Sequence, residues 1–274
     1  MALTVNTNVA SLNVQKNLNR ASDALSTSMT RLSSGLKINS AKDDAAGLQI
    51  ATRMTSQVRG QTMAIKNAND GISIAQTAEG ALQESSNILQ RMRELAVQSR
   101  NGSNATSDQA ALNKEFQQMA LELTRIADNT NLNGKKLLDG SNATITLQVG
   151  YNTAADDRID LNLGAGFDAA TLLVTGDLTS AANSDTAIGQ IDAALTTIND
   201  TRADLGASQN RLTSTIANLQ NINENASAAL GRVQDTDFAA ETAQLTKQQT
   251  LQQASTAILA QANQLPSAVL KLLQ

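Results

Sequence analysis

Apolar residues spaced three and four positions apart run along both ends of this chain, and no other feature of the sequence constrains the fold as strongly. Such spacing places the members of each stripe on one face of a helix. Two narrow stripes favour a coiled coil between the two chain ends, leaving the other helix faces free to join further copies. The alternative is a pair of surface helices docked on one globular body. The first stripe comprises Leu18, Ala21, Leu25, Met29, Leu32 and Leu36, and the second comprises Leu251, Ala254, Ile258, Ala262, Leu265, Val269 and Leu272.

The interior of the chain carries the same periodicity over longer distances. It is clear from Ile65 to Ala96, from Leu112 to Ile126, and from Ile188 to Leu219. A helix from about residue 44 to 99 would be roughly 80 Å long at ~1.5 Å per residue. A single proline among 274 residues leaves few positions that would interrupt these helices.

A change to a two-residue period marks a short β region in the middle of the chain. "ITLQV" and "RIDLNL" alternate apolar and polar residues and flank the turn-forming stretch "GYNTAADD". This arrangement predicts a β-hairpin. "TLLV" at 171–174 is a candidate third short strand. The predicted fold class is therefore mainly α, a long antiparallel helical bundle or coiled-coil rod with a small β-hairpin region.

Composition excludes several kinds of function. The chain has no His and no Cys, so it cannot form a His–Cys metal site, a thiol nucleophile or a serine–histidine triad. No metal ligand set or cofactor motif stands out, and we expect no enzymatic activity. The net charge of −4 argues against nucleic-acid binding. No apolar run reaches the ~18 residues of a membrane span, and the first basic residue after the amino terminus is Lys16, which is unlike a secretory signal peptide.

Four long segments, in the same order, resemble bacterial flagellin. They are "RLSSGLKINSAKDDAAGLQIA" at 31–51, "LQRMRELAVQS" at 89–99, "NLNGKKLLDG" at 131–140, and "TLQQASTAILAQANQLPSAVLKLLQ" at 250–274. Four collinear matches of this length are far more specific than one short motif. Only residues 141–183 remain for the variable outer domains of that family, so the resemblance is to a short form without large outer domains.

The resemblance implies a subunit of the helical flagellar filament, a passive propeller for swimming. It implies an inner-tube coiled coil from residues 1–43 and 233–274, helices of a rod domain at 44–140 and 184–232, and a hairpin with a short variable region at 141–183. The residues expected to pack in the filament core are Leu18, Leu25, Leu32, Leu36, Leu251, Ile258, Leu265, Val269 and Leu272.

The resemblance also implies partners. The chain is expected to polymerise with itself, to leave the cell through a flagellar export apparatus without a cleaved signal peptide, and to meet filament-cap and hook-junction proteins. An export chaperone is expected at 235–274. Arg91, Leu95 and Glu115 match the surface bound by a host Toll-like receptor, and Leu270, Leu272 and Leu273 match the feature bound by a cytosolic innate sensor. No nucleic-acid partner and no membrane insertion are implied.

Two other classes of protein explain part of the sequence. A hook–filament junction protein shares the amino-terminal pattern and would cap a junction without polymerising extensively. A soluble coiled-coil adaptor forming a closed oligomer explains the heptad spacing. It does not explain the four family segments.

Overall fold

The structure of the protein is a computed structural model, which describes the backbone from Thr7 to Leu272 and the side chains from Thr7 to Gln264. The chain forms two compact units by its contacts. The terminal unit combines residues up to Ser56 with residues from Asn225 onward, and the central unit is Gln57–Glu224. The segment boundaries predicted from the sequence follow helix ends, whereas the units divide within long helices. The five-segment organisation therefore stays a prediction.

Helices occupy most of the described residues, which confirms the mainly α fold class. They are α1 (Val9–Ser34), α2 (Ala45–Ser99), α3 (Thr106–Asn129), α4 (Ala181–Gln234) and α5 (Phe238–Leu272). The bounds of α2 agree with the long helix predicted from about residue 44 to 99. Local chemistry sets two of the helix ends. Gly35 ends α1 in a left-handed conformation with φ of 72°, which glycine adopts without the steric cost of a side chain. At the start of α3 the Asp108 carboxylate accepts a hydrogen bond from the Ala105 N–H.

The core of the central unit lies between α2, α3, α4 and a β-hairpin. Each helix contributes one stripe of buried residues at three- and four-residue spacing, as the sequence predicted. The buried stripes of α2 and α4 combine alanines with larger apolar residues, which allows long helices to pack closely. The largest buried side chains on these helices are Leu82, Leu89, Met92, Leu95, Phe116, Leu123 and Ile191.

Two antiparallel strand pairs complete the central unit. Strands β1 (Asn131–Leu132) and β2 (Lys135–Lys136) are joined by Asn133 and Gly134, both with positive φ, as a tight hairpin turn requires. Strands β3 (Thr144–Gln148) and β4 (Arg158–Asn162) form the predicted hairpin, with Ile145 opposite Leu161 and Leu147 opposite Ile159. These four side chains are buried and the residues between them face outward, so the two-residue period predicted the pairing correctly.

The prediction of a third strand at 171–174 is wrong. Residues 168–173 form a single tight turn instead. The Asp168 carboxylate accepts a hydrogen bond from the Thr171 N–H at 3.1 Å, and the Leu172 N–H donates to the Asp168 carbonyl at 3.0 Å. A local cap of this kind competes with strand pairing, and it outweighs the β propensity of the apolar residues that follow.

Candidate assembly and recognition surfaces

In the terminal unit, α1 and α5 pack against each other in antiparallel orientation. Low-numbered residues of α1 contact high-numbered residues of α5: the Asn8 side chain donates to the Ala262 carbonyl at 2.8 Å, and Ser11 donates to Asn263 at 2.9 Å. At the other end of the pair, Arg31 lies 3.7 Å from Glu241. Just beyond α1, Leu36 forms a backbone bridge with Asp235. The expected coiled coil between the chain ends is therefore present.

The surface of α1 that meets α5 follows a regular three- and four-residue spacing. Ala21 and Ser28 are buried there, and Leu18, Leu25 and Leu32 are half-buried, as is Leu36 just beyond the helix. The matching surface of α5 includes buried Ala262. Its half-buried positions keep the same spacing and are Leu245, Gln248, Gln252, Ser255 and Leu259. Small side chains on both helices allow close approach of the two backbones.

The apolar stripe predicted on α5 does not face α1 over the described side chains, apart from Ala262. Leu251 is 45% exposed and Ile258 is 53% exposed. The prediction that these two residues pair with α1 is wrong, because the more hydrophobic row of α5 lies one position away from the surface it presents to α1. Their packing in a filament core stays a prediction. The side chains of Leu265, Val269 and Leu272 lie outside the described residues.

The terminal unit leaves further large apolar side chains exposed on the same two helices. Between Thr242 and Gln264 the sequence of α5 carries one charged residue, Lys247. A surface of Gln, Thr, Ser and apolar residues can be buried against another molecule with little cost for desolvating charge. Leu251 and Ile258 are seven residues apart and lie on one face of α5, and exposed apolar surface of this kind marks interaction sites. In addition to Leu251 and Ile258, the exposed members on α1 and α5 are Val9, Leu12, Met29 and Phe238.

The candidate innate-receptor residues lie in the central unit, where two of the three meet at the surface. Arg91 of α2 donates from Nε and Nη2 to Oε1 of Glu115 on α3, at 3.1 and 2.8 Å, and from Nη1 to Glu94 at 3.0 Å. The hydrogen bonds to Glu115, and then those to Glu94, raise the pKa of Arg91. Leu95 is 1% exposed, so it supports this surface from within the core. Of the candidate sensor residues, Leu270 and Leu272 have no described side chain, and Leu273 lies outside the described residues.

Two further cross-helix ion pairs join α2 to α4, and the sequence pattern did not predict them. Arg93 pairs with Asp192 of α4 at 2.7 Å, and Arg100 pairs with Asp185 at 2.6 Å. Charged residues on long helices are so common that their spacing alone could not indicate which of them meet across helices.

Within the described residues, no group of three or more His, Cys, Asp or Glu side chains could hold a metal ion. Among the same described residues, no helix is both long and apolar enough to cross a membrane.

These features define a class of helical protein, in which the two chain ends pair as helices and the middle of the sequence forms a helical unit with a β-hairpin. Comparison with known proteins identifies the family. Residues 5–143 match the model of the bacterial flagellin N-terminal helical region. Residues 188–273 match that of the flagellin C-terminal helical region. The chain belongs to the bacterial flagellin family.

Relatives and a solved structure agree with this assignment. Flagellin A of Vibrio cholerae serotype O1 is 40% identical over an alignment of 379 positions that covers the whole of both chains. That alignment is longer than the 274 residues of this chain, so the Vibrio relative carries additional sequence. The flagellin of Halalkalibacterium halodurans is 48% identical over 98% of this chain and 99% of the relative. The crystal structure of Bacillus cereus flagellin is similar with a TM-score of 0.50 and 35% identity, over 56% of this chain and 88% of that chain.

Family membership establishes the general role of the chain. It is a subunit of the flagellar filament and assembles with copies of itself. The family is structural, and motility depends on the polymer that its members build.

Proposed function

We propose that the exposed apolar row of α5, together with the exposed apolar side chains of α1, forms the surface through which copies of this chain join in the filament core. The observation that carries the proposal is the exposure of Leu251 and Ile258 on a helix that already pairs with α1 through a different face. An apolar row that the chain does not cover itself is available to another copy. The filament then acts as a passive propeller, and the subunit performs no chemistry.

Burial of these side chains can drive assembly. Covering one Leu or Ile side chain contributes roughly 1.5–3 kcal/mol before the entropy of ordering is deducted. Several such residues per chain offset the cost of fixing both chain ends. When successive copies join through different surfaces, the rotation from one copy to the next decides the form of the assembly. A rotation that does not bring the last copy back to the first gives an open helical polymer instead of a ring.

The first experiment compares the intact chain with one truncated after Thr250. Both are dissociated to monomer, mixed with short filament seeds and examined by negative-stain electron microscopy. We expect long filaments from the intact chain and none from the truncated one. Small discrete oligomers from both would overturn the proposal, and the junction protein or the closed coiled-coil adaptor would then explain the chain better.

Export is the second part of the proposed function. Subunits reach the cell exterior through the flagellar export apparatus, with an export chaperone covering residues 235–274. That range begins at the Leu36–Asp235 bridge, so the chaperone would hold α5 away from α1 until assembly. A chaperone that binds the intact chain and fails to bind the chain ending at Thr250 would support this. Export by this route without cleavage predicts that the subunit isolated from filaments begins at the same residue as the newly synthesised subunit, which mass spectrometry can check.

Host recognition is the third part. The Arg91–Glu115 surface is the candidate site for a Toll-like receptor, with Leu95 holding α2 in place beneath it. The two charged side chains are partly exposed and paired, so a receptor would contact a preformed surface. Replacing Arg91 with Ala should weaken binding of the monomer to receptor ectodomain, and unchanged binding would exclude this site. The cytosolic sensor is assigned to Leu270, Leu272 and Leu273 on the family resemblance alone.

A further inference from the structure

An asparagine followed by glycine or serine is a point at which a peptide chain readily loses ammonia. The backbone nitrogen of the second residue attacks the side-chain carbonyl of the asparagine, and a small second residue leaves that nitrogen accessible. The chain contains four such pairs, Asn39–Ser40, Asn101–Gly102, Asn133–Gly134 and Asn183–Ser184. Because all four are candidates by sequence, the local structure decides which of them can react.

The two asparagine–serine pairs are blocked because the attacking nitrogen is already engaged in a hydrogen bond. The Ser40 N–H donates to the Asp43 carboxylate at 2.9 Å. The Ser184 N–H donates to the Ser180 carbonyl at 3.0 Å, at the start of α4. Attack would require the loss of these hydrogen bonds, and at Ser184 it would also require the first turn of the helix to open.

The Asn133–Gly134 pair is exposed, but its backbone rotation is fixed. Both residues have positive φ, 52° and 78°, in the two-residue turn that joins β1 to β2. Ring closure needs a rotation about the Cα–C bond of the asparagine, which swings the next nitrogen toward the side chain. The paired strands on either side of the turn oppose that rotation, and the Leu137 N–H adds a hydrogen bond to the Thr130 carbonyl at 3.0 Å. This pair therefore reacts slowly while the hairpin is folded.

The Asn101–Gly102 pair lacks both kinds of protection. It lies in the loop between α2 and α3, and both of its residues are exposed. The Gly102 N–H donates no hydrogen bond within the described part of the chain. The Ser103 N–H donates to Oδ1 of Asn101 at 3.4 Å, so the side-chain carbonyl folds back over the nitrogen of Gly102. This hydrogen bond also polarises the carbonyl that the nitrogen attacks.

We propose that Asn101 is a site of spontaneous deamidation in the folded protein. The Gly102 nitrogen forms a bond to Cγ of Asn101, and the bond from Cγ to the side-chain amide nitrogen breaks. The amide nitrogen takes the proton from Gly102 and leaves as ammonia. One water molecule then opens the resulting succinimide ring at either carbonyl. Opening gives aspartate, or isoaspartate, in which the main chain runs through the former side chain.

The modification changes the connection between α2 and α3. Either product places a negative charge just beyond Ser99, the last residue of α2, where the helix dipole disfavours it. Isoaspartate also lengthens the main chain by a methylene group, which disrupts the turn closed by the hydrogen bond from the Asn104 N–H to the Asn101 carbonyl. The reaction needs only the folded chain and water, so the inference does not rest on the proposed assembly function.

Mass spectrometry of the dissociated monomer, incubated in mildly alkaline buffer, tests the assignment. Cleavage after glutamate releases the peptide Leu95–Glu115, in which Asn101 is an internal residue. Replacement of the amide by a hydroxyl group changes the mass of this peptide, and electron-transfer fragmentation separates aspartate from isoaspartate. We expect Asn101 to convert about tenfold or more faster than Asn133, because Asn133 must first open its hairpin. Asn39 and Asn183 should also convert more slowly than Asn101.

Two controls separate the effect of the fold from the effect of the sequence. In concentrated urea both asparagine–glycine pairs lose their structure, so Asn101 and Asn133 should convert at similar rates. In the folded protein, Gly102→Ala should slow conversion at Asn101, because the added methyl group crowds the attacking nitrogen. That methyl group would meet no atom within 4 Å apart from its chain neighbours, so the thermal midpoint should stay unchanged.

Three results would overturn the inference. If Asn133 converted as fast as Asn101 in the folded protein, the free nitrogen of Gly102 would confer no added reactivity. Undiminished conversion in Gly102→Ala would exclude this nitrogen as the attacking atom. If Asn101 converted in urea but not in the folded protein, the loop would protect the side chain instead of exposing it. None of these results depends on whether the chain elongates from filament seeds.

Discussion

Tyr151, the single tyrosine of the chain, packs its Cβ atom against the backbone of Gly60 in α2, so closely that a methyl group added at position 60 would lie 2.7 Å from it. Its hydroxyl accepts a hydrogen bond from Gln57, one turn earlier, at 3.4 Å. Gly71, about three turns further along α2, leaves room for Leu147 of β3 in the same way. Two glycines within a long helix therefore let the hairpin region approach the α2 backbone.

The first prediction concerns Gly60. Gly60→Ala should lower the free energy of unfolding by about 1–3 kcal/mol, because Tyr151 and its loop must move away from α2. The chain contains no tryptophan, so the fluorescence of Tyr151 reports on this contact directly. Urea unfolding followed by both tyrosine fluorescence and circular dichroism measures the effect.

The control for this prediction is Gly80→Ala in the same helix, where the added methyl group would meet no atom within 4 Å apart from its chain neighbours and the nearby backbone of α2. A helix-interior glycine costs roughly 0.5–1 kcal/mol relative to alanine, so this change should increase stability. If Gly60→Ala also increased stability, the close approach of Tyr151 would be incorrect.

The second prediction concerns the Arg91–Glu115 pair. Both side chains are partly exposed, so a double-mutant cycle with alanine at each position should give a coupling energy of only about 0.2–1 kcal/mol. The coupling should shrink as salt is added, because screening weakens exposed charge pairs. Since Arg91 also contacts Glu94, the cycle is repeated in a Glu94→Ala background. A coupling of zero at low salt in both backgrounds would mean that the pair does not form in solution.

The third prediction is a loss of stability in acid. Hydrogen bonds from Asn183, and then from Thr179, hold the pKa of Asp177 below its usual value. Hydrogen bonds from Ser40 and Asn39 lower the pKa of Asp43 in the same direction. Because the folded pKa lies below the unfolded one, the stabilisation is complete above the unfolded value of about 3.9. It is lost as the pH falls through the folded value.

Asp177→Asn provides the test of this pH dependence. The variant keeps a side-chain oxygen acceptor for Thr179 and removes the titrating group. The difference in thermal midpoint between the variant and the unsubstituted chain should be largest near neutral pH and should narrow as the pH falls below about 4. A difference that stays constant down to pH 2.5 would show that Asp177 does not contribute to the acid sensitivity.

The helices and the hairpin could be predicted from the sequence because each depends on a local repeat. Three- and four-residue spacing of apolar residues, with only one proline in the chain, predicted the extent of α2 and α4. The alternation of apolar and polar residues predicted that β3 and β4 pair. The turn at 168–173 was missed because the apolar residues at 171–174 suggest a strand, whereas the Asp168 carboxylate caps the turn by accepting a hydrogen bond from the Thr171 N–H.

The face that α5 presents to α1 could not be predicted from hydrophobicity. Gln248, Gln252 and Ser255 lie in that contact, and none of them stands out in an apolar pattern. Contacts at both ends of the pair match its register, the Leu36–Asp235 bridge and the Arg31–Glu241 ion pair at one end and the Asn8–Ala262 hydrogen bond at the other. Such long-range contacts leave no periodic signal. The sequence did place Arg91 and Glu115 on neighbouring helices, and their meeting depends on the register of α2 against α3.

Two adjacent residues of α5 give the fourth prediction, which separates folding of the terminal unit from assembly. Leu259 belongs to the half-buried row that faces α1, whereas Ile258 is exposed. Leu259→Ser should loosen the α1–α5 pair, with a loss of about 1–2 kcal/mol from partial burial of the leucine. Ile258→Ser should change monomer stability by less than about 0.5 kcal/mol, as is usual for an exposed site.

In the polymer the order of the two effects should reverse. Ile258→Ser removes an apolar side chain from the row assigned to contacts between copies, so its critical concentration for seeded elongation should rise by roughly tenfold or more. Leu259→Ser should impair elongation only as far as it weakens the α1–α5 pair. Thermal unfolding of the monomer and sedimentation of filaments, performed on both variants, measure the two quantities independently. If Ile258→Ser elongated as well as the unsubstituted chain, the exposed row of α5 would not be the filament-core contact, and the assembly surface would have to lie elsewhere on the terminal unit.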